Sequence, residues 1–192
     1  AKVAFSGISD TGLRTAKELS DAGYTVLFKQ GDMVDESFCH ELVQSCIDAW
    51  GKVNYLVNNA FSFTAKGMDA QTEDWERSFF VGPVGYARMI QNVVPPMKQA
   101  GGGAIVNMSS ISAFVAQKNR WTYNMAKGAV AQLTRCSALD LAGFNIRVNS
   151  VSPGWIWTRE VYKAANGDRE KWDPIWGEYH MLGRCGEPIE CA

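Results

Sequence analysis

Histidine is scarce in this chain, with two in 192 residues, and none of the five cysteines stands three positions from another in a CxxC pair. Zinc sites draw on such pairs and on histidine, so no metal is expected. No uninterrupted apolar run is long enough to span a bilayer, and the opening AKVAFSG lacks the layout of a signal peptide. Neither charge sign is in surplus: Lys+Arg 19 against Asp+Glu 20 leaves a net charge of -1. That balance gives no footprint for nucleic acid or an anionic membrane, and neither is expected as a partner. The cysteines are odd in number (Cys39, Cys46, Cys136, Cys185, Cys191), which favours reduced thiols and a cytoplasmic location. Cys39 and Cys46, seven positions apart, are expected to share the buried face of one helix.

What is present is apolar material for a core, 46% of residues, with 20% charged. Strands alternate with helices. Strands are expected at Lys2–Phe5, Tyr24–Phe28, Val53–Val57, Ala104–Met108 and Asn145–Val151. Between them fall helices at Leu13–Ala22, Ser37–Trp50, Glu73–Gln99 and Thr122–Leu141. Short apolar strands separated by helices predict an α/β fold, a doubly wound and mostly parallel Rossmann-like sheet with helices on both faces. Residues 1–192 read as one domain, and the tail from Thr158 onward reads as polar, Trp-rich and irregular. The stretch Tyr24–Asp32 resists this pattern. Parallel neighbours need a crossover, and none separates Tyr24–Leu27 from Phe28–Asp32; either they form one strand or a segment is absent between them.

The densest chemistry lies in Tyr123-Asn124-Met125-Ala126-Lys127, downstream of Asn107-Met108-Ser109-Ser110. Positions i and i+4 share a helical face, so Tyr123 and Lys127 point into one pocket. An ammonium beside a phenol is expected to lower its pKa toward neutrality, as a general acid/base requires. Ser110, at a strand end, offers a hydroxyl for a substrate oxygen.

With these elements the chain resembles the short-chain dehydrogenase/reductase family. Asn58-Asn59-Ala60 follows a strand, Ser110 ends Ile105–Ser110, Tyr123 and Lys127 form YxxxK, and Pro153–Thr158 matches PGxxxT. The resemblance implies bound NAD or NADP and hydride exchange between a secondary alcohol and a ketone. It makes Ser110, Tyr123 and Lys127 catalytic. It assigns Gly7, Gly12, Asp32, Asn58, Ala60, Tyr123, Lys127, Pro153, Gly154 and Thr158 to the cofactor, with Asp32 at the adenine edge. Asn107 is read as structural. Ser110, Trp155 and Trp121 are expected to meet substrate, under a variable cover formed by residues 155–186. Their rings suggest an apolar or aromatic small molecule. A homo-oligomer, dimer or tetramer, is also implied. Lys29 hints at NADP if the chain is continuous there.

Two departures leave alternatives open, namely a catalytically impaired dinucleotide-binding protein or a reductase of an activated double bond. In Ser6-Gly7-Ile8-Ser9-Asp10-Thr11-Gly12-Leu13 only Gly7 matches the family's glycine loop directly, and Gly12 matches after a shift of one. Where the family places an asparagine in the long helix, this chain has Gly82-Pro83. A weakened or rerouted proton relay is therefore expected, testable by Gly82→Asn. The missing crossover, and a helix and strand that the resemblance implies beyond Ala192, lead us to expect that 192 residues is a lower bound on the protein.

Overall fold

The computed structural model describes residues 1–192. Strands run at β1 (Lys2–Gly7), β2 (Thr25–Gln30), β3 (Tyr55–Asn58), β4 (Gly103–Met108) and β5 (Ile146–Val151). Helices run at α1 (Thr11–Asp21), α2 (Glu36–Trp50), α3 (Thr72–Val81), α4 (Pro83–Gln99), α5 (Trp121–Leu141), α6 (Arg159–Ala164) and α7 (Arg169–Gly177). All strand pairing is parallel: β1 with β2, and β3-β4-β5 in that order. The fold is α/β, as the alternation predicts, but the ladder is divided into a two-stranded and a three-stranded sheet.

The stretch that resists parsing forms one strand. Phe28, Lys29 and Gln30 continue β2 without a break, paired with Phe5, Ser6 and Gly7.

Alternation along the strands sets which face is covered. Leu56, Ile105, Ile146 and Val148 point toward α4 and α5 and join a core with Met33, Phe38, Leu42, Met89 and Val93. The opposite face carries Tyr55 and Val57, which are exposed, so helices cover this sheet on one face only. The β1–β2 pair packs against α1, and β1 also touches α2.

Two stretches differ from expectation. The predicted long helix is two helices, because Gly82 adopts ψ -112 and Pro83 starts α4 at its first position. The segment after Thr158 is not irregular: Thr158 caps α6 through Val161 N and Asp168 caps α7 through Lys171 N. Asp35 caps α2 by accepting from Ser37 N at 2.8 Å and Phe38 N at 3.4 Å. All five cysteines are free; Cys39 is buried on α2, and Cys46 only half so. No helix is long and apolar enough to cross a membrane.

Candidate active site

The end of β4 and the first turns of α5 converge. Ser110 leaves β4 in extended conformation and is buried, and Tyr123 and Lys127 lie one turn apart on α5. The Ser110 hydroxyl accepts from Ser112 N at 3.1 Å and turns its own O–H toward Tyr123. Lys127 is 3% exposed; its Nζ donates to Met108 O at 2.8 Å and stands 5.8 Å from the Tyr123 ring centre. Burial pushes the Lys127 pKa down to about 7.

The expected lowering of Tyr123 does not occur. Burial raises its pKa above the ordinary tyrosine value, while a hydrogen bond with Ser110 and the positive charge of Arg120 pull the other way. Lys127 is not among these influences, because its amine is turned to Met108 and is itself desolvated.

Aromatic rings wall the pocket. Phe61 meets Tyr123 edge-on at 5.4 Å and Phe63 lies against it at 4.9 Å. The Lys127 ammonium sits 4.0 Å from the Phe61 ring centre. Gly82 makes room for that ring: a Cβ there would stand 2.7 Å from Phe61 Cε2 and 2.6 Å from Ser78 O. An asparagine at position 82 therefore cannot be added back without displacing Phe61. One turn on from Gly82, the Tyr86 phenol is buried without a hydrogen-bond partner. Its pKa is raised first by burial and then by Tyr123 nearby.

The remaining expected residues divide. Asn58 is buried and its amide donates to Asn107 Oδ1 at 2.8 Å, while Asn107 donates to Thr134 Oγ1 at 3.0 Å. The Asn58 side chain thus ties β3 to β4 rather than facing a cleft; Ala60 follows on the loop toward Phe61. Asp32 is held by Arg77 at 2.6 Å and accepts from Val34 N at 3.1 Å, so its carboxylate is engaged inside the protein instead of standing free. Lys29 is paired with Glu41 at 2.8 Å, which removes its hint toward NADP.

Pro153 accepts from Ile111 N at 3.1 Å, fixing the PGxxxT turn beside Ser110. Gly154 allows His180 to approach: a Cβ would stand 2.4 Å from its Nε2, which accepts from Trp155 N at 2.9 Å. Thr158 is spent as the α6 cap. Trp155 stacks on Trp176 at 4.5 Å, and Trp157 donates to Asp173 at 2.7 Å, so residues 155–186 form an aromatic cluster over the turn. Trp121 is exposed and lines a groove of about 520 Å³ with Phe114, Val115, Arg120 and Met125.

The glycine turn bears on the cofactor. Gly12 lacks a Cβ that would stand 2.1 Å from the Phe28 ring, so it brings α1 tightly onto β2. That close helix–strand contact is the role of the last glycine in a dinucleotide turn. At Gly7 the nearest atom to such a Cβ is 3.8 Å away, leaving the turn open above it. The turn delivers the chain to the N-terminus of α1, the end of a helix that suits a pyrophosphate, although Gly12 N and Leu13 N already donate to Ser9 O at 3.2 Å and Asp10 O at 3.0 Å. Asp10 at its cap makes no side-chain cap, and its charge opposes that anion. At the other end, the Ser110 hydroxyl, Tyr123 and the Lys127 amine suit a nicotinamide ribose and a reacting oxygen. The residues fit a dinucleotide.

Sequence reasoning misses Phe61, Phe63 and Arg120. Their signals are weak: Phe61 directly follows Asn58-Asn59-Ala60, and Arg120 precedes Tyr123 by three.

A family model described as enoyl-(acyl carrier protein) reductase matches residues 1–192. Cyclopentanol dehydrogenase of Comamonas sp. is 33% identical over 187 residues, covering 95% of this chain and 73% of its own length. The structure of 7α-hydroxysteroid dehydrogenase with NADH and 7-oxo glycochenodeoxycholic acid superposes with TM-score 0.88 at 29% identity, over 100% of this chain and 74% of that one. L-Sorbose reductase of Gluconobacter frateurii with NADPH and L-sorbose gives TM-score 0.90 at 26% identity, over 99% and 76%. With the serine, tyrosine and lysine gathered at the mouth of a parallel α/β fold, these matches show that the chain belongs to the short-chain dehydrogenase/reductase family, oxidoreductases that use NAD or NADP.

Proposed function

We propose that this protein exchanges hydride between NAD(P) and a secondary alcohol or its ketone, with Tyr123 as general acid/base. The observation that carries the reading is the convergence of Ser110, Tyr123 and Lys127 at one buried point. In the reductive direction the Tyr123 phenol gives its proton to the carbonyl oxygen, and the Ser110 O–H turns from Tyr123 to donate to the same oxygen. A raised phenol pKa keeps Tyr123 protonated and ready to donate, while Ser110 and Arg120 limit how far it rises. Bound nicotinamide supplies the hydride. Lys127, anchored to Met108 O, has two further N–H groups for the nicotinamide ribose. Gly7, Gly12 and the start of α1 hold the pyrophosphate.

The rings of Phe61, Phe63 and Trp155 favour an apolar, ring-bearing substrate. A relative named for cyclopentanol and a neighbour solved with a steroid support that class. A homo-oligomer belongs to the same reading, supported by Met125 and Leu139, apolar and exposed on α5. Light scattering on the purified protein tests it, and a monomer at all concentrations overturns it.

The test of function is nicotinamide absorbance with each cofactor and a panel of cyclic alcohols and ketones. Tyr123→Phe is expected to lower turnover by about 100-fold or more, with cofactor binding retained. Binding without turnover across the panel would support a non-catalytic protein instead. Turnover confined to conjugated enones would support the double-bond reductase, the reading the family model's description favours.

A further inference from the structure

Among the half-buried arginines of the fold, Arg77 and Arg88 are each paired with a carboxylate, at 2.6 Å to Asp32 and 3.2 Å to Glu36. Arg120 is different. It is half-buried at the N-terminal boundary of α5, three residues before Tyr123, yet its guanidinium donates no hydrogen bond and meets no carboxylate. Its Cζ lies 5.5 Å from the Phe63 ring centre and 5.5 Å from that of Trp155. Both rings lie within cation–π reach of the guanidinium, and none of its N–H groups has a protein acceptor. The charge reaches the reacting centre, since it is one of the influences on Tyr123.

We propose that Arg120 binds an anionic group of the substrate, so that the alcohol or ketone handled at Tyr123 is a hydroxy or oxo acid whose carboxylate lies across a ring from the reacting carbon. This deepens the function proposed above and rests on it. The geometry points to a carboxylate for three reasons. A guanidinium stripped of part of its water and given no protein acceptor has five donors to satisfy, and a carboxylate takes two of them in parallel. The ring of Phe63 is shared by both ends of the site, 4.9 Å from the Tyr123 ring centre and 5.5 Å from Arg120 Cζ. A cyclic apolar body therefore covers Phe63 with its oxygen at Tyr123 and its anion at Arg120. The phosphates of a dinucleotide do not compete for this role, because the glycine turn that suits them lies at the N-terminus of α1.

The experiment compares hydroxycyclohexanecarboxylate with its uncharged carboxamide, in the wild type, Arg120→Gln and Arg120→Lys. The wild type is expected to prefer the acid in kcat/KM by about 10- to 100-fold, the range of a charge-assisted hydrogen-bonded pair. In Arg120→Gln that preference falls to near one, chiefly through KM, and Arg120→Lys restores part of it. A wild type that accepts acid and amide equally overturns the proposal, as does an acid preference that survives Arg120→Gln. Loss of acid and amide to the same degree shows that Arg120 acts only through packing or through Tyr123, and loss of NAD(P) affinity shows a cofactor contact; either overturns it. Tryptophan fluorescence supplies a readout that needs no turnover, because Trp155 stacks over the cation. Cyclohexanecarboxylate is expected to quench the wild type with NADH present, at least about 10-fold more weakly in Arg120→Gln. If no alcohol turns over at all, the function proposed above fails, and this titration alone decides for or against Arg120.

Discussion

At Lys127 the side chain is almost wholly buried, and burial holds its ammonium down to about pH 7. An unfolded lysine titrates near 10.5. Between those values the unfolded chain binds more protons than the folded one, so unfolding free energy rises with pH across that window. Below about pH 7 both states are charged and the fold carries the full cost of burying the charge. Denaturant melts should therefore show wild-type stability climbing from about pH 7 to about pH 10 relative to Lys127→Met. Parallel curves would mean that the amine is solvated. Asp32 works in the other sense: burial pushes its pKa up, but the hydrogen bonds from Arg77 and Val34 N win and lower it. Its contribution is present above the ordinary carboxylate range and is lost as pH falls through its lowered value. With side chains 32% and 40% exposed, the pair is screened, and Arg77→Gln should cost no more than about 1 kcal/mol.

Among the elements, two glycines with one name in the motif do different work. Gly12→Ala drives a Cβ to 2.1 Å from the Phe28 ring, so α1 must lift from β2, at a cost of about 1–3 kcal/mol. Gly7→Ala meets nothing nearer than 3.8 Å and should leave the melting temperature almost unchanged while weakening NAD(P) binding, because its side chain enters the open turn. Thermal melts and cofactor titrations separate the two; a stability loss at Gly7 equal to that at Gly12 would refute the assignment. The α3–α4 junction makes a second prediction. Gly82→Ala brings its Cβ to 2.6 Å from Ser78 O and 2.7 Å from Phe61, and should cost about 1–3 kcal/mol. Phe61→Ala relieves one of those two contacts, so the double variant should be less destabilised than the sum of the single ones. Additive losses would show that Gly82 and Phe61 are independent.

Over the whole molecule, residues 155–186 are tied back by a few bonds. Asp173 accepts from Trp157 Nε1 at 2.7 Å and from Cys185 N at 3.1 Å, and Gly186 exchanges hydrogen bonds with Trp155 and Trp157. Asp173→Ala should loosen this cover, seen as faster proteolysis within residues 155–186 and a lower melting temperature. The hydrogen bond from Trp157 comes first in lowering the Asp173 pKa. The tie should therefore weaken as pH falls through that lowered value and be intact near neutrality.

Much of this was legible in the chain itself. Periodicity and turn residues locate every strand and the helices before Thr158, with α3 and α4 read as one, because alternating burial and helix-ending glycines are local in sequence. The spacing of Tyr123 and Lys127 puts them on one face for the same reason. The aromatic and charged partners of that face were not legible, since contacts between Phe61 and Gly82, or Arg120 and Trp155, join residues far apart in the chain. Asn58 and Asp32 show the same limit: their positions follow from strand ends, but whether each side chain faces a ligand or a protein neighbour depends on Asn107 and Arg77 arriving from other elements. The sequence by itself determined the element order, the parallel α/β class and the placing of Tyr123 and Lys127 on one helix after the strand that ends near Ser110. Tertiary structure decided which of these groups are free to act, because desolvation and partner choice arise only when distant segments pack together.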